Sequence, residues 1–385
     1  MPIIKSGVQY SGKWTKSQQM QAVAAGTWTG IIQNELWSWG ANSSGQLGLG
    51  DTANRSTPAQ VGGVDWSAIA ACSSGSLAIK EDGTLWSWGS GQHGALGQGN
   101  TTNYSSPVQV GALTNWSTVA AGPGSQSGWA IKTDGSLWAW GQNNSGQLGL
   151  GNTTYRSSPV QVGALTTWSQ IAANGFCVAI KTDGTLWSWG RGGSGELGLG
   201  NTTSYSSPVQ VGALTTWSKV SIASGHTLAV KTDGTLWSWG SNFNGQLGDG
   251  TTTNRSSPVQ VGALTTWLNV AGSQSNASLA INTSGQLFSW GRNVNGQLGL
   301  GDTTQRNSPV QVGALTDWSK IFGGNTLYFA IKAAKTLWGW GLNSSGQLGL
   351  DDTTQRNSPV QVGALTSWGQ IAASSHSIAI NQTTT

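Results

Sequence analysis

Apolar positions along the chain come in short alternating runs separated by turn residues, and the same order of runs returns about every 50 residues. The run Leu-Trp-x-Trp alternates apolar and small residues with a period of two, which is the pattern of a half-buried strand and not of a helix. Its tetrapeptide Trp-x-Trp-Gly ends at Gly40, Gly89, Gly141, Gly190, Gly240, Gly291 and Gly341, with Phe288 once in place of the first Trp. The spacings are 49, 52, 49, 50, 51 and 50 residues, and a fixed period in this range marks a solenoid, a propeller or an array.

Residues 208 to 257 show the strands within one period. Pro208-Val209-Gln210-Val211 predicts a strand with proline at its first position, where the missing N–H is tolerated. Trp217 to Ala223 predicts a second strand and Thr227 to Lys231 a third. Thr232-Asp233-Gly234 predicts a hairpin turn into Leu236-Trp237-Ser238-Trp239, because Asp-Gly tolerates the positive φ of a tight turn. Four antiparallel strands per period, seven times over, predict an all-β, seven-bladed β-propeller with four-stranded antiparallel blades. A parallel β-helix is the rival, but its coils are shorter and need no Asp-Gly hairpin in each unit.

The paired indoles are the expected core. Trp37 and Trp39, Trp86 and Trp88, Trp138 and Trp140, Trp187 and Trp189, Trp237 and Trp239, and Trp338 and Trp340 stand at i and i+2, as do Phe288 and Trp290. Each pair projects from one side of its strand, where seven copies fill the space between adjacent blades.

The ends of the ring are harder to assign, since the chain holds seven repeats and a surplus half. Ser6 to Tyr10 followed by Trp14 reads as a worn copy of the opening strand, while Pro359 to Ile380 is a clean copy that stops where its hairpin partner should begin. Eight third strands therefore compete for seven Trp-x-Trp partners. The expectation is that Ser377 to Asn381 pairs beside Leu36 to Trp39 and closes the ring. Residues 33–385 are then the propeller, and residues 1–32 a divergent half-repeat forming an arm or added layer. In the alternative, Thr29 to Ile32 stay in the ring and the C-terminal half is donated to a neighbouring subunit.

Composition narrows the function classes. Only 8% of residues are charged, against roughly 25% in an average soluble protein. Eighteen Lys plus Arg against 14 Asp plus Glu leave +4, with no basic run to track a phosphate backbone, so no nucleic-acid partner is expected. Cys72 and Cys177 sit in predicted strands of different repeats, where a thiol acts as a small apolar filler and not as half of a disulfide. Met1 to Gly7 lacks the apolar core of a signal peptide, and no run of 18 apolar residues occurs, so membrane insertion is not expected.

Catalysis needs unlike groups converging at one place, yet His93, His226 and His376 fall in three different repeats. No metal-ligand spacing or phosphate loop appears, and neither a metal nor a cofactor is expected. Asp51, Asp302, Asp351 and Asp352 precede Thr-rich stretches that invite a calcium reading, but Asn takes the equivalent place in three repeats. A solvated turn is the simpler account. The chain is read as a non-enzyme.

The combination of Trp-x-Trp-Gly with Asn-x-x-Gly-Gln-Leu-Gly-Leu-Gly, at Asn42 to Gly50 and again at Asn293 to Gly301, resembles the signature of the regulator of chromosome condensation repeat family. The resemblance covers nearly the whole chain and implies the seven-bladed fold. It does not fix an activity, because the family includes exchange factors, ligase appendages, receptors and structural modules. The nuclear member that promotes nucleotide exchange on a small GTPase uses a wedge-like insertion in one blade. Here the longest repeat gains only a few residues, around Gly122-Pro123-Gly124, so exchange activity is not carried over.

Repeats differ most between Trp-Gly and Gly-Gln-Leu-Gly, in a four-residue window that includes Phe243, Arg292 and Val294. Later in the same segment one position holds Arg55, Tyr104, Arg156, Tyr205, Arg255, Arg306 or Arg356, with Tyr155 beside it once. Arginine and aromatic residues are favoured at interfaces, and one such loop per blade makes a common rim of candidate binding residues; neutral drift at exposed positions is the alternative. The sequence thus reads as a structural or binding propeller with protein partners, such as other subunits of a virion or extracellular assembly. An intracellular scaffold or GTPase-regulator relative is the second reading. A propeller binding surface glycans through Tyr104, Tyr155, Tyr205 and Phe243 is the third.

Overall fold

A computed structural model describes residues 32–384 of the chain. Twenty-eight strands form seven four-stranded antiparallel sheets arranged as the blades of a closed propeller. From the axis outward the strands of a blade are termed a to d. In blade 4 they are Trp217–Ile222, His226–Lys231, Leu236–Gly240 and Arg255–Gln260. Blades 1 to 6 span residues 66–109, 116–161, 168–210, 217–260, 267–311 and 318–361.

The sequence period and the blade are out of phase by one strand. The strand holding Pro208, Tyr205–Gln210, does not open blade 4. Its Gln210 and Val209 pair with Trp187 and Ser188 of the preceding c strand, and Val211 N donates to Leu186 O. It is therefore the outer edge of blade 3, where a proline is tolerated because one side of the strand faces no ladder.

Blade 7 closes the ring from both ends of the described chain. Its a and b strands are Trp368–Ala373 and His376–Thr384, and its c and d strands are Ile32–Gly40 and Arg55–Val61. Ser377 faces Trp39 and Ile380 faces Leu36, as the strand competition predicts, so the C-terminal half pairs within its own ring and is not donated to a neighbour. Of the alternative, Thr29 to Ile31 lie outside the described residues, as does the body of the half-repeat assigned to 1–32. No hairpin joins this b and c pair, and the ladder runs for nine residues where every other c strand has five.

Seven apolar clusters hold the ring, each joining two neighbouring blades, as Leu228 and Leu236 of blade 4 meet Trp267 and Trp290 of blade 5. The second Trp of every pair is fully buried and the first is partly covered. The ring has two faces. The hairpin face carries the b–c hairpins and the d–a links, and the loop face carries the short a–b turns and the long c–d loops. Among the described residues the cations divide between them. Lys80, Lys132, Lys181, Lys231, Lys332 and Lys335 end b strands or sit in hairpins, and Lys219 and Lys320 lie in the first half of an a strand. All seven arginines lie in c–d loops or at the start of a d strand.

Candidate loop-face interface

The c–d loops are long but not loose. In five blades an Asn at the second window position is fully buried: Asn42, Asn143, Asn242, Asn293 and Asn343. Asn42 Oδ1 accepts from Leu47 N at 2.9 Å while its Nδ2 donates to Asp51 O and Ala53 O, so one amide clamps both limbs of the loop. Blades 1 and 3 have Gly91 and Gly192 there. A Cβ at Gly91 would lie 2.1 Å from Thr102 O, so the carbonyl occupies the space of the missing side chain.

The loop then anchors the next blade. Trp39, Trp88, Trp140, Trp189, Trp290 and Trp340 donate their indole N–H to the carbonyl of Gln347, Gln46, Ala95, Gln147, Gln246 and Gln297. Blade 4 is the exception. The preceding loop has Glu196 in place of Gln, its fully buried carboxylate is paired with Arg191 at 2.8 Å, and Trp239 Nε1 has no partner.

Most of the sequence-predicted rim arginines turn inward. Arg55, Arg306 and Arg356 pair with Asp51, Asp302 and Asp352 four residues earlier, the first two at 2.6 and 2.7 Å, and Arg255 pairs with Asp249 at 3.0 Å. The Asp302 carboxyl is held below the usual carboxylate range, first by the Thr304 backbone N–H and then by Arg306. Three of the four Asp residues that suggested calcium, Asp51, Asp302 and Asp352, thus latch their own loops, while Asp351 contributes its backbone N–H to Ser56 O. Where Asn replaces Asp in blades 1 and 3, Tyr replaces Arg, and Asn100 and Asn201 donate to the hydroxyls of Tyr104 and Tyr205 at 3.2 and 3.3 Å. Blade 2 mixes the two patterns. Asn152 stands opposite Arg156, whose guanidinium reaches only the Tyr155 carbonyl, at 3.5 Å.

Three other predicted residues project without such duties. Phe243 is 72% exposed in blade 4 and Val294 54% exposed at the equivalent place in blade 5. Arg292, two residues before Val294, is exposed and belongs to no ion pair among the described residues.

Sequence reasoning passed over one cluster on this face. The blade 2 insertion folds across the mouth of the central channel, where Ser374 Oγ donates to Pro123 O at 2.7 Å and Asn174 Nδ2 to Gln274 Oε1 at 2.6 Å. Gln126, at the end of the insertion, accepts from His93 Nδ1, and the His93 and Tyr155 rings meet edge to face at 5.0 Å. His93 holds a φ of 58°, a conformation non-glycine residues seldom adopt. A signal is visible in Gly91, which stands in the window where five loops have Asn.

The other histidines are structural. His226 and His376 are fully buried, with Nε2 2.8 Å from the hydroxyls of Ser278 and Ser76. Each hydroxyl donates onward to Gln246 O or Gln46 O, so it accepts from Nε2–H and leaves Nδ1 unprotonated with no partner. Burial pushes both imidazoles down to about 3. Neither lies near a nucleophile and second base in a shared cleft, and the described residues bring no three metal-ligating side chains together.

The family model described as the RCC1-like domain matches residues 8–276, and that of the regulator of chromosome condensation (RCC1) repeat matches residues 284–331 and 336–380. Among curated proteins, the mitochondrial RCC1 domain-containing protein RUG3 of Arabidopsis thaliana is 31% identical over 138 residues, covering 35% of this chain and 31% of that protein. The human E3 ubiquitin-protein ligase HERC2 is 31% identical over 157 residues, 39% of this chain and 3% of the ligase. Among solved structures, human WBSCR16 superposes with a TM-score of 0.80 at 21% identity over 90% of this chain and 98% of that one. Prp20p of Saccharomyces cerevisiae, described with its binding to Gsp1p and histones, gives 0.76 at 19% identity over 90% and 91%. At such identities the structural likeness speaks for the fold alone.

Proposed function

Because this chain belongs to the regulator of chromosome condensation (RCC1) repeat family, we propose that it is a non-enzymatic binding propeller that docks a protein partner on its loop face. The observation that carries this reading is the pair Phe243 and Val294, projecting from adjacent blades beside the unpaired Arg292. The flanking loops of blades 3 and 6 have Gly193 and Ser344 at the same position. An exposed phenylalanine and an arginine are residue types enriched at protein interfaces, and Val294 extends the apolar surface beside them. Protein binding is also described for Prp20p, which shares the fold.

Guanine nucleotide exchange is not part of the proposal, since the one insertion, at Gly122 to Gly124, is spent on the channel mouth. Glycan binding through Tyr104 and Tyr205 is not favoured either, because both hydroxyls are held within their own loops. A place in a virion or extracellular assembly is an expectation from composition, and labelling the protein in its native source decides it. The interface is tested by affinity capture from that source with the parent chain and with Phe243→Ala combined with Val294→Ser. We expect one or more proteins retained by the parent and lost with the variant. An identical retained set would sink the reading.

A further inference from the structure

We propose that the seams between blades are binding grooves for small organic acids, and that in the groove between blades 3 and 4 the Lys231 ammonium receives the carboxylate. The first observation is a buried cation without a counter-ion. Lys231 is 9% exposed, and Lys132 and Lys181, at the same place in blades 2 and 3, are 8% exposed. Each lies over indoles, Lys231 at 3.6 Å from the Trp237 centroid and 5.0 Å from that of Trp217. Yet none of the three forms an ion pair among the described residues. An indole face attracts a cation but offers no acceptor to the N–H groups that point away from it, and a charge so far from water needs one. The acid two residues on does not supply it, because Asp233 accepts from the Thr235 hydroxyl and N–H at 2.6 and 2.9 Å. Burial lowers the pKa of Lys181 and Lys231, and Asp183 and Asp233 offset this only in part.

The second observation is the space in front of the ammonium. Lys231 lines a groove of about 430 Å³ walled by Trp217, Trp237, Leu199, Leu214 and Pro258. That is room for a small molecule, with apolar walls for its body and one charged group to orient it. A cation this recessed is met by a molecule that enters the groove whole, which favours a free acid over a side chain on another protein's surface. A second donor stands beside it: the Trp217 indole N–H is buried without an acceptor, as are those of Trp116 and Trp168. Between blades 7 and 1, where a groove of about 360 Å³ holds Trp66, Lys80 and Trp86, the two donors converge. Lys80 Nζ and Trp66 Nε1 lie 3.7 and 3.9 Å from the point where a Cβ would stand on Gly63.

The third observation is that blade 6 carries a carboxylate of its own at this place. Asp317 precedes Trp318 there and stands 3.5 Å from Lys332 Nζ. Blades 2, 3 and 4 have Asn115, Thr167 and Thr216 at that position. Their ammoniums are left for a carboxylate from outside the chain.

The proposal is independent of which partner the loop face binds. Its test is a fluorine NMR titration of the full chain with para-fluorobenzoate, with para-fluorobenzyl alcohol as the uncharged control. The same titration is run on the chain with Lys80→Met, Lys132→Met, Lys181→Met and Lys231→Met combined. We expect saturable binding of the acid by the parent, weaker by about tenfold or more for the variant and for the alcohol, as the loss of a charged hydrogen bond implies. No binding by the parent, equal affinity in the variant, or equal affinity for the alcohol overturns the proposal. A second variant guards against a lysine variant that does not fold. Asn115→Asp, Thr167→Asp and Thr216→Asp together copy blade 6 and keep every lysine, so the acid bound at saturation should fall. An unchanged amount overturns the proposal.

Discussion

The two faces of this ring are made from one repeat, yet they hold their cations in opposite ways. On the hairpin face Lys231 lies 3.6 Å from the Trp237 ring centroid and 5.0 Å from that of Trp217, and the same arrangement recurs in blades 1, 2, 3 and 6. On the loop face arginine reaches back to a carboxylate. An ammonium is a point charge on an apolar stem, suited to sealing the indole seam between blades. A guanidinium presents a fork of donors, suited to closing a loop on its own Asp and carbonyls. The comparison teaches where sequence is free to change. The five lysines over indoles sit at strand ends with a packing duty, whereas the loop face has positions such as 243 and 294 with none, and variation collects there.

The largest effect expected from breaking this comparison comes from the two members of a tryptophan pair. Trp140 is fully buried and anchors the preceding loop through Ala95 O, so Trp140→Ala should cost about 3–5 kcal/mol. Trp138, nearer the hairpin face, is partly covered and lies 3.8 Å beneath Lys132. Its loss should cost about 2 kcal/mol. The chain itself accepts Phe288 at the equivalent place in blade 5. Urea denaturation of the two variants checks the order, and equal costs would mean that the faces contribute alike to the ring.

Acid should act on the loop face first. His226 and His376 begin b strands at that face, and burial sets both near 3 against an ordinary value of about 6.5. Below about pH 6.5 the unfolded chain therefore binds protons that the folded chain refuses, so stability present above that pH is lost as pH falls. The loss stops growing below about pH 3. By pH 4 each histidine should cost on the order of 3 kcal/mol. Replacing both by Leu, the residue at the equivalent position 327, should flatten the profile between pH 6.5 and 4. Hydrogen exchange at pH 4.5 should rise in the c–d loops before the d–a links, and the reverse order would contradict the assignment.

The fold was legible in the sequence because it repeats: a strand signal weak in one copy is decisive in seven, and Asp-Gly marks four of the hairpins. The blade boundary was not, since Pro208-Val209-Gln210-Val211 opens the sequence period but belongs to the preceding sheet, and a tandem repeat read from any starting point has the same period. Ring closure was legible by counting strands. The loop face was only half legible. Arg55, Arg255, Arg306 and Arg356 suggested an interface because residue type says nothing of what lies four to six residues earlier in space. The Asp–Arg and Asn–Tyr alternation that explains them is visible in the chain once the latch is known. His93 was invisible because its partners Gln126 and Tyr155 belong to the next blade.

The smallest expected effect tests the latch itself. Blade 2 offers a natural gap, with Asn152 where Asp302 stands in blade 5. Asn152→Asp should give Arg156 a carboxylate and add roughly a few tenths of a kcal/mol to stability in low salt, fading in 1 M NaCl as expected of a half-exposed pair. Asp302→Asn, the reverse change, should cost at most about 0.5 kcal/mol, because Arg306 keeps its bond to Thr304 O at 2.7 Å and solvent screens the rest. Exchange of the amides at 302–306 should quicken while the b and c strands of blade 5 stay protected. A cost near 2 kcal/mol, or opening that spreads into those strands, would make the latch part of the ring's framework. The loop face would then lose its claim to be the side where sequence varies freely, and Arg156 would have to be read as a defect of blade 2 and not as a cation left over for a partner.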